Sequence, residues 1–166
     1  MTELASPPIG PEVDLRDFPF MPLEIARLRR SKAWLIAKRN PALGFYMINL
    51  WTACWHDKPA GSLEDDDDVL ADLAMCDPHK WEKVRTDVLR GWIKCSDGRL
   101  YHPVVAEKAA ESWKAKVAQR ERTSAATAKR EANRRAERER AATNRGDERG
   151  DERGDERGDE RGDERG

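Results

Sequence analysis

Five His and Cys residues of this 166-residue chain could be collected into a zinc site: His56, Cys76, His79, Cys95 and His102. Structural zinc favours ligands in close pairs such as C-x-x-C. Here only Cys76 and His79 are near neighbours, with Pro78 between them. No metal or other cofactor is expected, and Cys54, Cys76 and Cys95 read as small core hydrophobes. The run "EDDDD" at 64–68 is the densest carboxylate cluster before the tail. Calcium loops alternate their ligands so that they converge. Consecutive aspartates ahead of an apolar run instead complement the free N–H groups and dipole of a helix start. No Ser/His/Asp or Cys/His arrangement has a supporting motif, and no Gly-rich phosphate loop occurs, so the chain is not expected to be an enzyme.

The remaining chemistry is cationic. Lys80, Lys83, Thr86 and Arg90 fall on the outward face of an amphipathic stretch at 78–90, and Lys94 and Arg99 flank the turn signal Asp97-Gly98. Basic side chains so disposed contact phosphates, each adding about one unit of salt dependence. Glu82 and Asp87 dilute the face, and residues 1–113 carry 15 Lys/Arg against 18 Asp/Glu. Divided in three, the chain has its cationic surplus at 114–144, with 10 Lys/Arg against 4 Asp/Glu; residues 145–166 have 6 against 10.

Positioning those residues requires a core, and apolar side chains concentrate between Phe18 and Val117, enough for one small domain. The Pro- and Gly-rich residues 1–13 read as a flexible leader. Residues 23–30 read as a short helix or strand, and Ser31 as the cap of a second short helix. The strongest helix is expected at 41–56, with Asn40 as N-cap and Pro41 first. Its Leu43, Met47, Leu50, Trp51, Cys54 and Trp55 share one face, and Phe45 and Ile48 another. A connector at 56–63 is expected to lend a short strand. A helix then starts among the aspartates, buries Val69, Leu70, Leu73 and Ala74, and ends at Asp77-Pro78. The next, at 78–90, turns Trp81, Val84, Val88 and Leu89 inward and stops at Gly91. Asp97-Gly98 predicts a two-residue hairpin turn with positive φ, flanked by "WIKC" and "LYH" and ended by Pro103. A long helix follows from Val104, docked by Val105, Ala109, Trp113 and Val117, and basic over 119–144. The Gly-Asp-Glu-Arg repeat at 145–166 has no apolar side chain and is expected to be disordered. Most of the six tryptophans read as core; Trp92, at the hairpin, is the exception expected to be partly exposed.

Helix, connector, helix, helix, hairpin, helix is the element order of a winged helix: mainly α, with a helix-turn-helix and a small β-hairpin as the wing, here occupying 14–118. The segments "DFPFMPLEIARLR", "LWTACWHDKPAGSLEDDDDVLADLA" and "KVRTDVLRGWIKCSDGRLYHPVVAEKA" resemble the YdaU-like, phage-associated family of domain of unknown function 1376, over residues 14–118. The resemblance implies a prophage setting and likeness to the winged-helix part of phage replication proteins, and carries no catalytic motif.

The expected function is a phage-type DNA-binding module in replication initiation or regulation. Lys80, Lys83, Thr86 and Arg90 would face the groove, and Lys94 and Arg99 the backbone. The alternative is a non-enzymatic adaptor presenting the same helix and hairpin to a replication or host protein. Three cysteines without a signal peptide point to reduced thiols and the cytoplasm. No apolar run approaches the roughly 18 residues of a membrane span.

Overall fold

The computed structural model describes residues 4–151, with side chains in the last helix described as far as residue 143. The chain divides into two units, residues 1–117 and 118–166. The elements run α1 (Ile25–Arg29), α2 (Lys32–Arg39), α3 (Pro41–Trp55), β1 (Ser62–Glu64), α4 (Asp67–Leu73), α5 (Pro78–Val88), β2 (Ile93–Lys94), β3 (Arg99–Tyr101) and α6 (Pro103–Asp151). The fold is mainly helical, with a small antiparallel sheet and a long C-terminal helix.

Helix α3 organises the core. Leu43, Met47, Leu50, Cys54 and Trp55 are buried along one stripe, and α3 packs against α2, α4, α5 and β1. Trp51 is only partly buried. Phe45 and Ile48, on the second face, are exposed. Asn40 holds the N-cap position, but its side chain makes no cap bond. Its carbonyl accepts from the Leu43 amide instead, at 3.0 Å. Ser31 does cap α2, its Oγ accepting from the Trp34 amide at 3.1 Å.

The sheet order is β1-β3-β2, so the connector's strand joins the hairpin at its β3 edge. Leu63 faces Leu100 and Ser62 faces Tyr101 on one side, and Ile93 faces Tyr101 on the other. The hairpin turn differs from the two-residue form expected. The Gly98 amide donates to Cys95 O and the Cys95 amide to Arg99 O, both at 3.0 Å. Within the turn only Gly98 has positive φ, at 80°, which makes a three-residue loop with glycine in the left-handed position. Asp97 is spent on hydrogen bonds: its carboxylate accepts from the Arg99 amide and the Tyr101 hydroxyl. Burial and that carboxylate push the Tyr101 phenol well above its usual range.

The expected flexible leader is a correction. Residues 4–13 are packed on the domain: Ala5 bridges Cys95, the Ser96 amide donates to Ala5 O at 2.8 Å, and Ile9 and Val13 are buried. Three prolines restrict the arm before it docks, which lowers the entropy lost on ordering. The arm then meets α6, where Lys116 donates to Asp14 O and pairs with Asp17. Helix α4 ends at Leu73, earlier than expected, and Asp77 starts α5, its carboxylate accepting from the His79 amide at 2.8 Å.

His102, expected on the return strand, caps α6 instead. Its Nδ1 accepts from the Val105 amide at 3.3 Å. The rings of Trp51 and Trp92 lie 5.2 and 5.3 Å away. Beside it, Gly61 adopts φ 84°, and a Cβ there would sit 2.7 Å from the Ala106 backbone. In the second unit, residues 119–143 are exposed, with Arg135 and Glu139 paired at i, i+4. Helix α6 extends into the repeat as far as Asp151; the rest of the stretch expected to be disordered lies outside the described residues.

Gly61→Ala is expected to cost about 2–4 kcal/mol, since it adds both strain at positive φ and a backbone clash; urea denaturation measures it. Burial and the Arg27 guanidinium hold the His102 pKa down at about 4, against an ordinary 6.5. Between those values the unfolded chain takes a proton that the folded chain refuses. Stability from this residue is therefore whole above pH 6.5 and falls as pH drops towards 4, by about 2 kcal/mol at pH 5. The pH 7 to pH 5 difference in urea midpoint should shrink in His102→Asn, which retains a capping side chain.

Candidate nucleic-acid interface

Helix α5 buries Trp81 and Val88, packs Val84 partly against the core, and exposes His79, Lys80, Glu82, Lys83 and Thr86. Its angle to α4 is set by a tight turn. The Cys76 amide donates to Ala71 O and the Met75 amide to Asp72 O, both at 2.9 Å. This is a Schellman closure with Met75, at φ 58°, where glycine is usual. The Asn49 side chain on α3 donates to Ala74 O, tying the turn to the central helix.

The acidic run then fixes α5 and the hairpin. Asp66 caps α4, its Oδ1 accepting from the Asp68 and Val69 amides at 3.0 Å. Asp67 accepts from Trp81 Nε1 at 3.0 Å and from Arg85. These bonds hold its carboxyl below the ordinary range. Asp65, with its side chain only 14% exposed, accepts from Arg85 Nη2 at 2.8 Å and Lys94 Nζ at 2.6 Å. One carboxylate thus joins β1's end, α5 and β2. The capping expected of the run holds for Asp66. The clamping by Asp65 and Asp67 was not legible in sequence, because their partners are 14 to 29 residues away.

The six cationic and polar candidates divide in two. Lys80, Lys83 and Thr86 lie exposed on α5, and the two lysines have no carboxylate partner among the described residues. The other three are engaged. Arg90 pairs with Asp87 at 3.0 Å and Lys94 with Asp65. Arg99, with its side chain 22% exposed, donates to Asp57 Oδ2 at 2.7 Å and to the buried Ser62 Oγ at 2.8 Å. Arg99 therefore staples the connector to the sheet. Arg85, absent from the sequence candidates, is the best-connected cation of α5. Its signal was its i+4 position from Trp81, facing the start of α4.

Among the described residues no three His, Cys, Asp or Glu side chains converge as a metal site. The three thiols are free and buried; burial raises those of Cys54 and Cys95. No described helix is long and apolar enough to cross a membrane.

Asp65→Asn should cost about 1–2 kcal/mol, because two cations lose their shared charge. Asp68→Asn, at a solvated first-turn position, should stay within about 0.5 kcal/mol. Paired urea titrations compare them, and equal costs would show that the clamp does not hold the hairpin.

No curated protein and no solved structure matches the chain. A family model described as "Protein of unknown function (DUF1376)" matches residues 19–110. That match spans more than half of the sequence and takes in every element from α1 to β3, so the chain belongs to the DUF1376 family.

Proposed function

We propose that the chain is a phage-type winged-helix module that binds double-stranded DNA in replication initiation or regulation. The observation that carries the reading is the succession α3–β1–α4–α5–β2–β3 with sheet order β1-β3-β2. That succession is the one expected of a helix-turn-helix pair followed by a wing, with the connector's strand at the wing's far edge. In that frame α5 enters the major groove, Lys80 and Lys83 meet phosphates, and Thr86 reaches a base edge. Arg90 and Lys94 join by exchanging Asp87 and Asp65 for phosphate, while Arg99 stays in the wing's base. Three free, buried thiols suit a reducing compartment, the cytoplasm.

The adaptor reading is favoured by a different observation: three of the five candidate cations already have carboxylate partners. In that reading α5 and the hairpin present a mixed-charge surface, with Glu82 among the lysines, to a replication or host protein.

A mobility shift with a 30-base-pair duplex separates the two. DNA binding should weaken steeply with salt. Lys80→Glu with Lys83→Glu should reduce the salt slope by about 2 units, one for each lost phosphate contact. A shift untouched by those changes but abolished by Arg134→Glu with Arg135→Glu would assign binding to α6 and end the helix-turn-helix reading. No shift even at low salt would favour the adaptor.

A further inference from the structure

Residues 25–39 contain Arg27, Arg29, Arg30, Lys32, Lys38 and Arg39 and no acidic residue. This second cationic surplus disappears when charge is averaged over residues 1–113. Arg27 pairs with Glu24 and Glu107. The other five have no carboxylate partner among the described residues, and all are exposed. Elsewhere in residues 4–117 ion pairing is common: Arg16, Arg85, Arg90, Lys94, Arg99, Lys108 and Lys116 are all matched.

This segment and the adjoining α3 expose large apolar side chains. Ile25 is 65% exposed, Phe45 49% and Trp34 42%. They are not scattered: with Leu23 and Ile48 they line one groove of about 670 Å³ between α1, α2 and α3. Small residues at the α2–α3 crossing contribute to its lining, and a Cβ on Gly44 would lie 2.7 Å from the Ala37 Cβ. Close approach of the backbones there leaves the larger side chains standing on either side as walls. Arg29 lines the groove, and Lys38 follows Trp34 by one helical turn.

We propose that this groove docks an acidic, amphipathic helix of a partner protein. An apolar patch of this kind on a small domain marks an interaction surface, and Arg29 in its lining, with Lys38 one turn from Trp34, selects the partner's charge. A second copy offering the same face would bring cation against cation. A nucleic acid strand could stack on Trp34 and Phe45, but Leu23, Ile25 and Ile48, which share the lining, offer no flat faces, so the observations favour an apolar helix and leave oligonucleotide binding as an outcome of the test. A bilayer surface fits a convex apolar face better than a walled groove. The wall on α3 from Gly44 to Trp51 is about 10 Å long, matching about two turns of a helix anchored at i, i+3 or i+4, and i+7. This surface lies apart from α5 and the hairpin and does not depend on DNA binding.

The test is selection of a display library of random 16-residue peptides on the full chain, followed by affinity measurement on synthetic copies of the enriched sequences. Enriched peptides should carry large apolar residues at helical spacing with Asp or Glu between them, and should gain helical circular dichroism on binding. Trp34→Ala, Phe45→Ala and Ile25→Lys, all at exposed positions, should each weaken binding about tenfold. Arg29→Glu with Lys38→Glu should do the same and flatten the salt dependence, whereas Lys83→Glu should leave the affinity unchanged. The proposal is overturned if no sequence is enriched, if the winners lack acidic residues or helical spacing, or if they ignore the groove substitutions. It is equally overturned if Trp34→Ala abolishes binding to a 15-nucleotide oligo-dT or to phosphatidylglycerol/phosphatidylcholine vesicles, or dissolves a dimer seen by sedimentation, while no peptide binds.

Discussion

Strand β3 has a neighbour on each side, and the domain's C-terminal half is built around that fact. A hairpin with strands of two and three residues is marginal in water by itself. Pairing β3 with β1 supplies a third strand, and Leu63, Leu100 and Tyr101 become buried together. The consequence passes directly to α6, which begins two residues after Tyr101. The His102 amide donates to Gly61 O at 3.0 Å, and the Gly61 amide donates to Cys54 O at 2.7 Å. Connector, sheet, central helix and the start of α6 therefore meet at one hydrogen-bonded junction, where only glycine leaves room for the helix backbone.

Charge is distributed by the same logic. The aspartates of the α4 start are more than a response to a helix dipole; two of them reach across to α5 and β2. A carboxylate that holds two cations costs the hairpin some of its appeal to an external anion. The surface that remains open is narrower than the sequence suggests: Lys80, Lys83 and Thr86 on α5. The unmatched cations of α1 and α2 lie elsewhere, beside exposed aromatic rings. The domain thus separates a mixed-charge face, largely internally compensated, from a basic and apolar one.

What was legible in the sequence was local. The helical period of Leu43, Met47, Leu50 and Cys54 marked α3, Ser31 marked the start of α2, and Gly91, at φ 87°, marked the exit from α5. Even the strand in the connector was anticipated, because a hairpin needs support. What escaped was set by tertiary contacts or broke a local rule. Met75 sits where glycine would have announced the turn. A Pro-rich arm looked loose, yet its Ile9 and Val13 bury against the core. His102 read as a strand residue because nothing local marks an imidazole as a helix cap. For the candidate site, spacing identified which cations α5 and the hairpin carry, but not which of them a distant carboxylate would claim.

The three thiols have a use beyond filling space. Cys54 lies in the central helix, Cys76 at the α4–α5 turn and Cys95 at the hairpin, and each is buried. A small alkylating reagent reaches each one only when its surroundings open. Their separate labelling rates would make the native chain its own stopwatch, timing in three places which part of the molecule breathes first.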